Sequence, residues 1–365
     1  MSSFLPNKDH YKIWIFAPYL DTPDPNLQFY YDFTQSIAEY TKVFSEIGCE
    51  WEWVNITLKN FSTEIARVRS YKAKTNIVLN LCDGDEVNDV PGISVINALQ
   101  HNSLIYTGSD SYFYKITTSK ITMKDAFDEH GVANPKWTVL NGKIVKNMFA
   151  NIGTPVIVKP AVSAGSMGIG VKNVISDHTG LDIVLKRIRQ GYHGWKLDEA
   201  GLLAEQFITG REFTTFLVGS SATPEHIKFY QPVERVFHPS LPEREQFLSF
   251  DRLWETYDEE SPLPDDAEFY EYAAVASPEL VERLKELTIS AYQAVKGMGY
   301  GRIDIRMDKH TGKLYVLEIN SQCGLSEDEN YTSIGAILRV SNKTFANLVV
   351  EILDDALLRH KTNVL

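Results

Sequence analysis

The stretch that most constrains this chain lies near its C-terminal end. There Gly301-Arg302-Ile303-Asp304-Ile305-Arg306 and Tyr315-Val316-Leu317-Glu318-Ile319-Asn320 flank the turn His310-Thr311-Gly312-Lys313. Two strand-like runs around a glycine-bearing turn predict a β-hairpin. Side chains alternate along a strand, so Arg302 and Asp304 share one face, as do Glu318 and Asn320. Pairing of the strands gathers two carboxylates and an amide oxygen beside a guanidinium. Hard oxygen ligands suit magnesium, which also keeps bonds to substrate phosphates, and an arginine there can hold an anionic intermediate. The same residues equally describe a surface salt-bridge patch on an ordinary hairpin, so the rest of the chain has to decide.

A chain of 365 residues has room for two or three lobes and a substantial core. Its net charge of -12 argues against general affinity for nucleic acid or anionic membranes. Cys49, Cys82 and Cys323 lie far apart, with no CxxC and no His/Cys spacing for zinc. An odd, sparse set fits a reducing compartment. Cys323 falls in the hairpin region, either as a reactive thiol or as an inert packed one. The apolar run Ile13 to Pro18, behind Lys8 and Asp9, is too short and interrupted for a secretory signal. No stretch approaches the length of a bilayer span, and a cytoplasmic protein is the expectation.

Residues 1–110 alternate strand and helix signals and predict a parallel α/β unit. Strands are expected at Lys12 to Phe16, Trp51 to Val54, Asn76 to Leu81 and Leu104 to Tyr106. Ile37, Tyr40, Phe44 and Ile47 have helical spacing before a stop at Gly48. Ligands favour the strand ends of such units. Residues 111–205 form a second block: a helix from Thr117 to Glu129, a strand at Pro155 to Lys159 leading into a Gly-rich turn, a helix at Leu181 to Ile188 and a strand at Leu202 to Glu205. Residues 206–365 hold a strand at Glu212 to Val218, the opening hairpin, and helices at Leu280 to Val295 and Phe345 to Leu358. Between them, residues 238–277 are rich in Pro, Glu, Asp and Tyr and read as a mobile or irregular insertion.

Ser163-Ala164-Gly165-Ser166-Met167-Gly168-Ile169-Gly170 follows the strand that ends in Lys159. Small residues let backbone N–H groups close on a phosphate. Neither GxGxxG nor GxxxxGK[ST] is present, which disfavours a dehydrogenase and a phosphate-loop enzyme. A glycine-rich flap over phosphates fits, and so does a plain turn. Lys159, at a strand end, and Lys120, near a helix start, can each neutralise phosphate charge, although most lysines are simply solvated. Glu205-Gln206-Phe207-Ile208 can offer backbone groups and an apolar wall to an adenine edge, with Glu212 placed for ribose hydroxyls. The plain alternatives are an interdomain linker and a surface acid.

The order of these pieces resembles the ATP-grasp enzymes, and among them the D-alanine–D-alanine ligase family. The matching segments are Tyr106-Thr107-Gly108-Ser109, Lys120, Pro155-Val156-Ile157-Val158-Lys159-Pro160, Gly165-Ser166-Met167-Gly168, Glu205 to Phe207, Gly210-Arg211-Glu212-Phe213-Thr214, Gly301-Arg302-Ile303-Asp304 and Leu317-Glu318-Ile319-Asn320. They run from about residue 76 to the end. The resemblance implies a three-lobed α/β (α+β) ATP-grasp architecture, with an N-terminal parallel domain and two lobes clasping ATP. By position it implies that Lys120 and Lys159 meet the nucleotide phosphates under a flap containing Gly165 and Ser166. Glu205, Gln206, Phe207, Ile208 and Leu317 would surround the adenine, and Glu212 would meet the ribose. Asp304, Glu318 and Asn320 would ligate two magnesium ions, with manganese as an alternative. Arg302 and the Gly324 backbone would steady a tetrahedral intermediate. Arg235, after Phe229-Tyr230-Gln231-Pro232, matches a phosphate-contacting lysine on the family's mobile loop. The implied chemistry joins a small-molecule carboxylate to an amine through an acyl phosphate, releasing ADP, in an enzyme that is a homodimer. Metals and lysines would offset charge at the phosphoryl group, and a closed flap would exclude water.

Three departures bear on the substrates. The family opens with Gly-Gly and an acid soon after, whereas this chain has Ala17-Pro18-Tyr19-Leu20-Asp21. After Gly324 the family holds the acceptor's carboxylate with a serine and a leucine, whereas this chain runs Leu325-Ser326-Glu327-Asp328-Glu329. Val236 stands where the family's mobile loop carries a tyrosine. Acids after Gly324 repel a carboxylate and attract a cation, unless they are a solvated loop. The expectation is a carboxylate–amine ligase whose substrates are not two D-alanines. The alternatives are a D-alanine–D-alanine ligase with a divergent pocket and a nucleotide-binding regulator without turnover.

Overall fold

The computed structural model describes residues 2–22, 32–140, 147–191, 195–330 and 332–363. Near the N-terminus, β1 (Tyr11–Pro18), β2 (Glu50–Ile56), β3 (Thr75–Asn80) and β4 (Ile105–Tyr106) form a parallel sheet in the order β2-β1-β3-β4. Its central strand β1 is buried along nearly its whole length, as expected for a parallel sheet covered on both faces. Helix Thr34–Ile47 turns Tyr40, Val43, Phe44 and Ile47 inward and stops at Gly48.

The second sheet is antiparallel. It contains β5 (Trp137–Val139), β6 (Val156–Pro160), β7 (Val174–Ile175) and β8 (Leu202–Gln206), in the order β5-β8-β6-β7. Because β6 and β7 pair directly, the glycine-rich segment between them is a loop projecting from one edge of this sheet. The third sheet contains β9 (Glu212–Val218), β10 (Lys228–Phe229), β11 (Val233–Phe237), β12 (Tyr270–Ala274), β13 (Tyr300–Met307) and β14 (Leu314–Asn320). Its order is β12-β11-β9-β13-β14, with β10 also on β9. The expected hairpin is thus the β13–β14 pair, held in the sheet by β9.

One apolar core joins the first and third sheets: Ile13, Ile77, Phe216 and Val218 share it with Leu348, Ile352 and Leu353 of helix Phe345–Asn363. A second fills the space between β13, β14 and helix Pro278–Ala294. A third lies under the second sheet, against helix His178–Arg189. The site therefore stands on strands whose other faces are packed, which fixes side-chain direction. Among the described residues no helix is long and apolar enough to cross a membrane.

Three expectations need correction. The helix expected from Thr117 is two helices, Ser111–Thr118 and Lys120–Glu129, broken at the extended residue Ser119. The break places Lys120 in a first turn, where its N–H is free to reach Ala161 O, 2.7 Å away. Residues 238–277 are irregular over most of their length, but they are packed rather than loose. They contain the edge strand β12 and helix Phe250–Trp254, and they bury Phe247, Phe250, Asp251, Arg252 and Glu260. Their charged composition hid a network of internally paired acids and bases. Arg235 is not on a mobile loop: it lies in β11, laddered to β9 and β12 and buried.

Candidate active site

A cavity of about 440 Å³ lies where the three sheets meet, and all sixteen residues assigned to the site from the sequence line it. At its base the hairpin register sets Asp304 opposite Glu318 and Arg302 opposite Asn320, so the four side chains share one face. Thr214 Oγ1, from the neighbouring β9, donates to Asp304 Oδ1 at 2.8 Å. Arg302 Nη2 stands 3.8 Å from Asp304 Oδ2. Asn320 Nδ2 lies 3.4 Å from both Asp304 Oδ2 and Glu318 Oε1.

Burial raises the Asp304 carboxyl above its ordinary value, and the nearby Arg302 and Arg235 offset this only in part. Burial acts in the same direction on Glu318, but the charges of Lys120, Lys159 and Arg302 outweigh it and hold that carboxyl below the usual range. Among the described residues no three His, Cys, Asp or Glu side chains cluster as a metal cage. Two carboxylates and an amide form a partial oxygen set. That fits magnesium, which takes few protein ligands and completes its shell with water and substrate phosphate.

Above the hairpin lies a buried charge cluster. Lys159 donates to Glu205 Oε1, and Lys124 forms an ion pair with Glu205 Oε2 at 2.7 Å. Lys120 Nζ donates to Ser163 O at 3.0 Å and stands 3.7 Å from Glu318 Oε2, bridging the glycine-rich loop and the hairpin. Burial lowers the ammonium values of Lys120 and Lys124. Burial alone would raise the Glu205 carboxyl, but Lys124 and Lys159 hold it down to about 2. Lys124 was missed in the sequence. Its signal was the four-residue spacing from Lys120, which puts both on one helix face.

The linker from β8 to β9 forms the apolar wall. Phe207 meets Phe247 edge to face with centroids 5.7 Å apart. The Ile208 carbonyl accepts from Arg306 Nη1 at 3.1 Å. Glu212 is more committed than the sequence indicated: Arg235 donates to its Oε1 and Arg306 to its Oε2. An ionised carboxylate accepts about four hydrogen bonds, so this one keeps capacity for a ligand hydroxyl. Arg235 is further held by the Tyr272 hydroxyl at 3.0 Å.

The glycine-rich loop is fastened from outside by residues the sequence reading did not single out. Ser166 Oγ donates to Leu248 O at 2.9 Å, and Trp254 Nε1 donates to Gly165 O at 2.9 Å. Phe250 N–H donates to Ile169 O at 2.8 Å. Gly168 has φ +73°, a conformation that favours glycine, and a Cβ there would sit 2.7 Å from Leu197 Cδ1 and displace that side chain. Gly324 lines the cavity and is exposed to it. Cys323 is buried, and burial pushes its thiol up to about 12, which makes it an inert packed thiol at neutral pH.

Two of the acids after Gly324 are already paired, Glu327 with Lys42 at 2.6 Å and Glu329 with Arg339 at 2.7 Å. Asp328 Oδ2 accepts from Gln35 at 3.0 Å, and Ser326 Oγ donates to the buried Glu39 at 2.6 Å. Much of this run therefore ties the loop to helix Thr34–Ile47.

Comparison with known proteins agrees with this geometry. The chain is 26% identical over 258 residues to a D-alanine–D-alanine ligase of Polynucleobacter asymbioticus, covering 70% of this chain and 67% of the relative. It is likewise 26% identical over 261 residues to one of Bordetella petrii, covering 71% and 70%. The fold superimposes on the D-alanine–D-alanine ligase of Bacillus anthracis complexed with ATP, with TM-score 0.66 and 17% identity over 96% of this chain and 99% of that one. Residues 128–354, more than half of the chain, match the family model described as D-ala D-ala ligase C-terminus. The chain belongs to the D-alanine–D-alanine ligase family, an ATP-grasp family of ATP-dependent, ADP-forming ligases.

Proposed function

We propose that this ligase activates a small-molecule carboxylate with ATP and joins it to an amine, and that its substrates are not two D-alanines. The observation that carries the first half is the convergence of Asp304, Glu318, Asn320 and Arg302 with Lys120 and Lys159 on one cavity. In this reading Lys120 and Lys159 bind the nucleotide phosphates and offset their charge. Glu205 to Ile208 and Leu317 orient the base, and Glu212 faces the ribose. Asp304, Glu318 and Asn320 hold magnesium, which when bound neutralises charge on the transferring phosphoryl group. Arg302 and the Gly324 N–H steady the oxyanion formed as the amine adds to the acyl phosphate. Ser166 and the loop around it cover the phosphates and exclude water that would hydrolyse that acyl phosphate.

The second half is supported by the chain's departures from the family, chiefly Ala17-Pro18-Tyr19-Leu20-Asp21 in place of the Gly-Gly opening and Val236 in place of a tyrosine; of the described acids after Gly324 only Glu329 lines the cavity, and it is paired with Arg339. The relatives are named D-alanine–D-alanine ligases, and that is the second reading. ADP release measured against a panel of amino acids and amines separates the two. Turnover with other pairs supports the proposal, and exclusive turnover with D-alanine overturns its substrate half. Tight ATP binding with no ADP from any pair would indicate a regulator instead.

A further inference from the structure

The segment that covers the glycine-rich loop sorts its side chains by polarity. Of residues 238–269, those that line the cavity are Phe247, Leu248, Leu253 and Trp254. The charges turn the other way. Asp251 Oδ2 accepts from the N–H groups of Glu259 and Glu260, and Arg252 pairs with Glu245 and Glu260. Among the described residues no Lys or Arg of this cover lines the cavity. The cover can exclude water, but it brings no cation to a phosphate, and phosphoryl transfer depends on such charges.

The sheet below supplies them. Tyr272, Arg235, Glu212 and Arg306 stand in register across β12, β11, β9 and β13. Hydrogen bonds run along this row. Arg306 and Arg235 donate to the two oxygens of Glu212, and Arg235 Nη2 donates to Tyr272 Oη at 3.0 Å. A guanidinium cannot accept a hydrogen bond, so the Tyr272 oxygen is the acceptor and its own proton points elsewhere. Tyr270 does not take that proton. Burial, then the charge of Tyr272 and a hydrogen bond to it, push the Tyr270 hydroxyl up to about 12, and a bond acting in that direction is one that Tyr270 donates. Among the described residues no other group meets the Tyr272 hydroxyl, which belongs to the cavity wall.

Tyr272 is held in place. Its carbonyl accepts from Arg339 Nη2 at 3.0 Å, and its ring meets Tyr270 edge to face with centroids 5.3 Å apart. The Arg235 guanidinium packs 5.2 Å and 5.5 Å from the two ring centres. Two cations neighbour the hydroxyl, Arg235 in direct contact and Arg302 within electrostatic reach. Arg235 in turn feels the charge of Asp304 on the hairpin. A fixed O–H donor beside two guanidiniums suits an anionic oxygen, because hydrogen bonds to ionised partners are the strong ones.

We infer that Tyr272 and Arg235 hold the terminal phosphoryl group of ATP, with Tyr272 donating its hydroxyl proton to a phosphoryl oxygen. The inference rests on the ligase reading above. A donor and a cation fixed on strands thereby do the work that the apolar cover leaves undone.

The test is binding without turnover. The full chain is titrated by calorimetry with ADP and with adenylyl imidodiphosphate, an ATP analogue whose terminal phosphoryl group is not transferred. Magnesium is present, and no acid or amine is added. Tyr272→Phe keeps the ring and removes only the hydroxyl. Its affinity for the analogue should fall about 10- to 100-fold, the range for a hydrogen bond to a charged group, while its affinity for ADP stays unchanged. Should that variant melt early, Tyr272→Met removes the hydroxyl with a more adaptable side chain, and the same two affinities decide. In a variant that melts with the unaltered chain, no loss for either nucleotide overturns the inference. So does an equal loss for both, which would make Tyr272 a support for Arg235 and Glu212 alone. Either result leaves the ligase reading intact. An unaltered chain that binds neither nucleotide overturns both.

Discussion

Lys124 and Glu205 face each other at 2.7 Å with side chains only 1% and 2% exposed. Lys159 pairs with the other oxygen of the same carboxylate. Breaking one partner of a buried ion pair strands the other charge, at a cost of about 3–5 kcal/mol. Lys124→Met should destabilise the chain in urea unfolding by less than that, because Lys159 still pairs with the Glu205 it leaves behind. The Lys124→Met, Glu205→Met double variant should be less destabilised than the sum of the single changes, because Glu205→Met alone strands both lysines whereas the double variant leaves only Lys159 without its partner. Additive losses would mean that the two residues do not act as a pair.

The same carboxylate gives an acid-sensitive step. Its folded value of about 2 lies below the 4.5 of an unperturbed glutamate. The unfolded chain therefore binds the proton first as pH falls, and the native state loses stability. The contribution is complete above about 4.5 and drains away between there and about 2. Thermal melts of the unaltered chain should fall more steeply across that interval than those of Glu205→Gln. Parallel curves would sink this assignment.

Local pattern made the hairpin legible. Alternation in Arg302 to Arg306 and Leu317 to Asn320 set the faces, and the observed register puts Asp304 across from Glu318. Gly48 likewise marked a helix end by its own chemistry. What stayed hidden depends on distant pairing. Glu260 was one acid among many in residues 238–277, yet it accepts from Ser249 Oγ at 2.7 Å and meets Arg252 at 2.9 Å out of solvent. Nothing local distinguishes such an acid from a solvated one. Asp83 was visible only as part of a polar loop. Its place on the cavity wall is a property of the assembled fold.

The hairpin carboxylates make the next prediction. In Asp304→Asn the amide oxygen can still accept from Thr214 Oγ1, which now donates at 2.8 Å, so folding should survive. A metal clamp contributes several kcal/mol to phosphoryl transfer, which at 1.36 kcal/mol per decade is roughly 100-fold or more in rate. Asp304→Asn should lose ADP release by about that factor and need a higher magnesium concentration for half-maximal rate. Unchanged magnesium dependence would remove Asp304 from the metal set.

The flap's fastening can be tested apart from catalysis. Glu260 Oε1 accepts from Val171 N–H at 2.9 Å, just beyond the glycine-rich loop, while its other oxygen is held by Ser249 and Arg252. Glu260→Ala leaves that N–H and the Ser249 hydroxyl without their acceptor, while the Arg252 guanidinium keeps Glu245. An unsatisfied buried group costs about 1–3 kcal/mol. If the cost falls on the closed loop alone, the open population rises by roughly 5- to 150-fold, since 1.4 kcal/mol is a factor of ten. Amide hydrogen exchange at Ile169 and Val171 should accelerate by that factor, whereas amides in β13 and β14 should not change, because local opening leaves the rest of the core closed. The KM for ATP should rise with it, since a nucleotide that binds the closed loop must first pay for closing it. Uniform acceleration across all three sheets would show instead that Glu260 supports the whole fold rather than the flap.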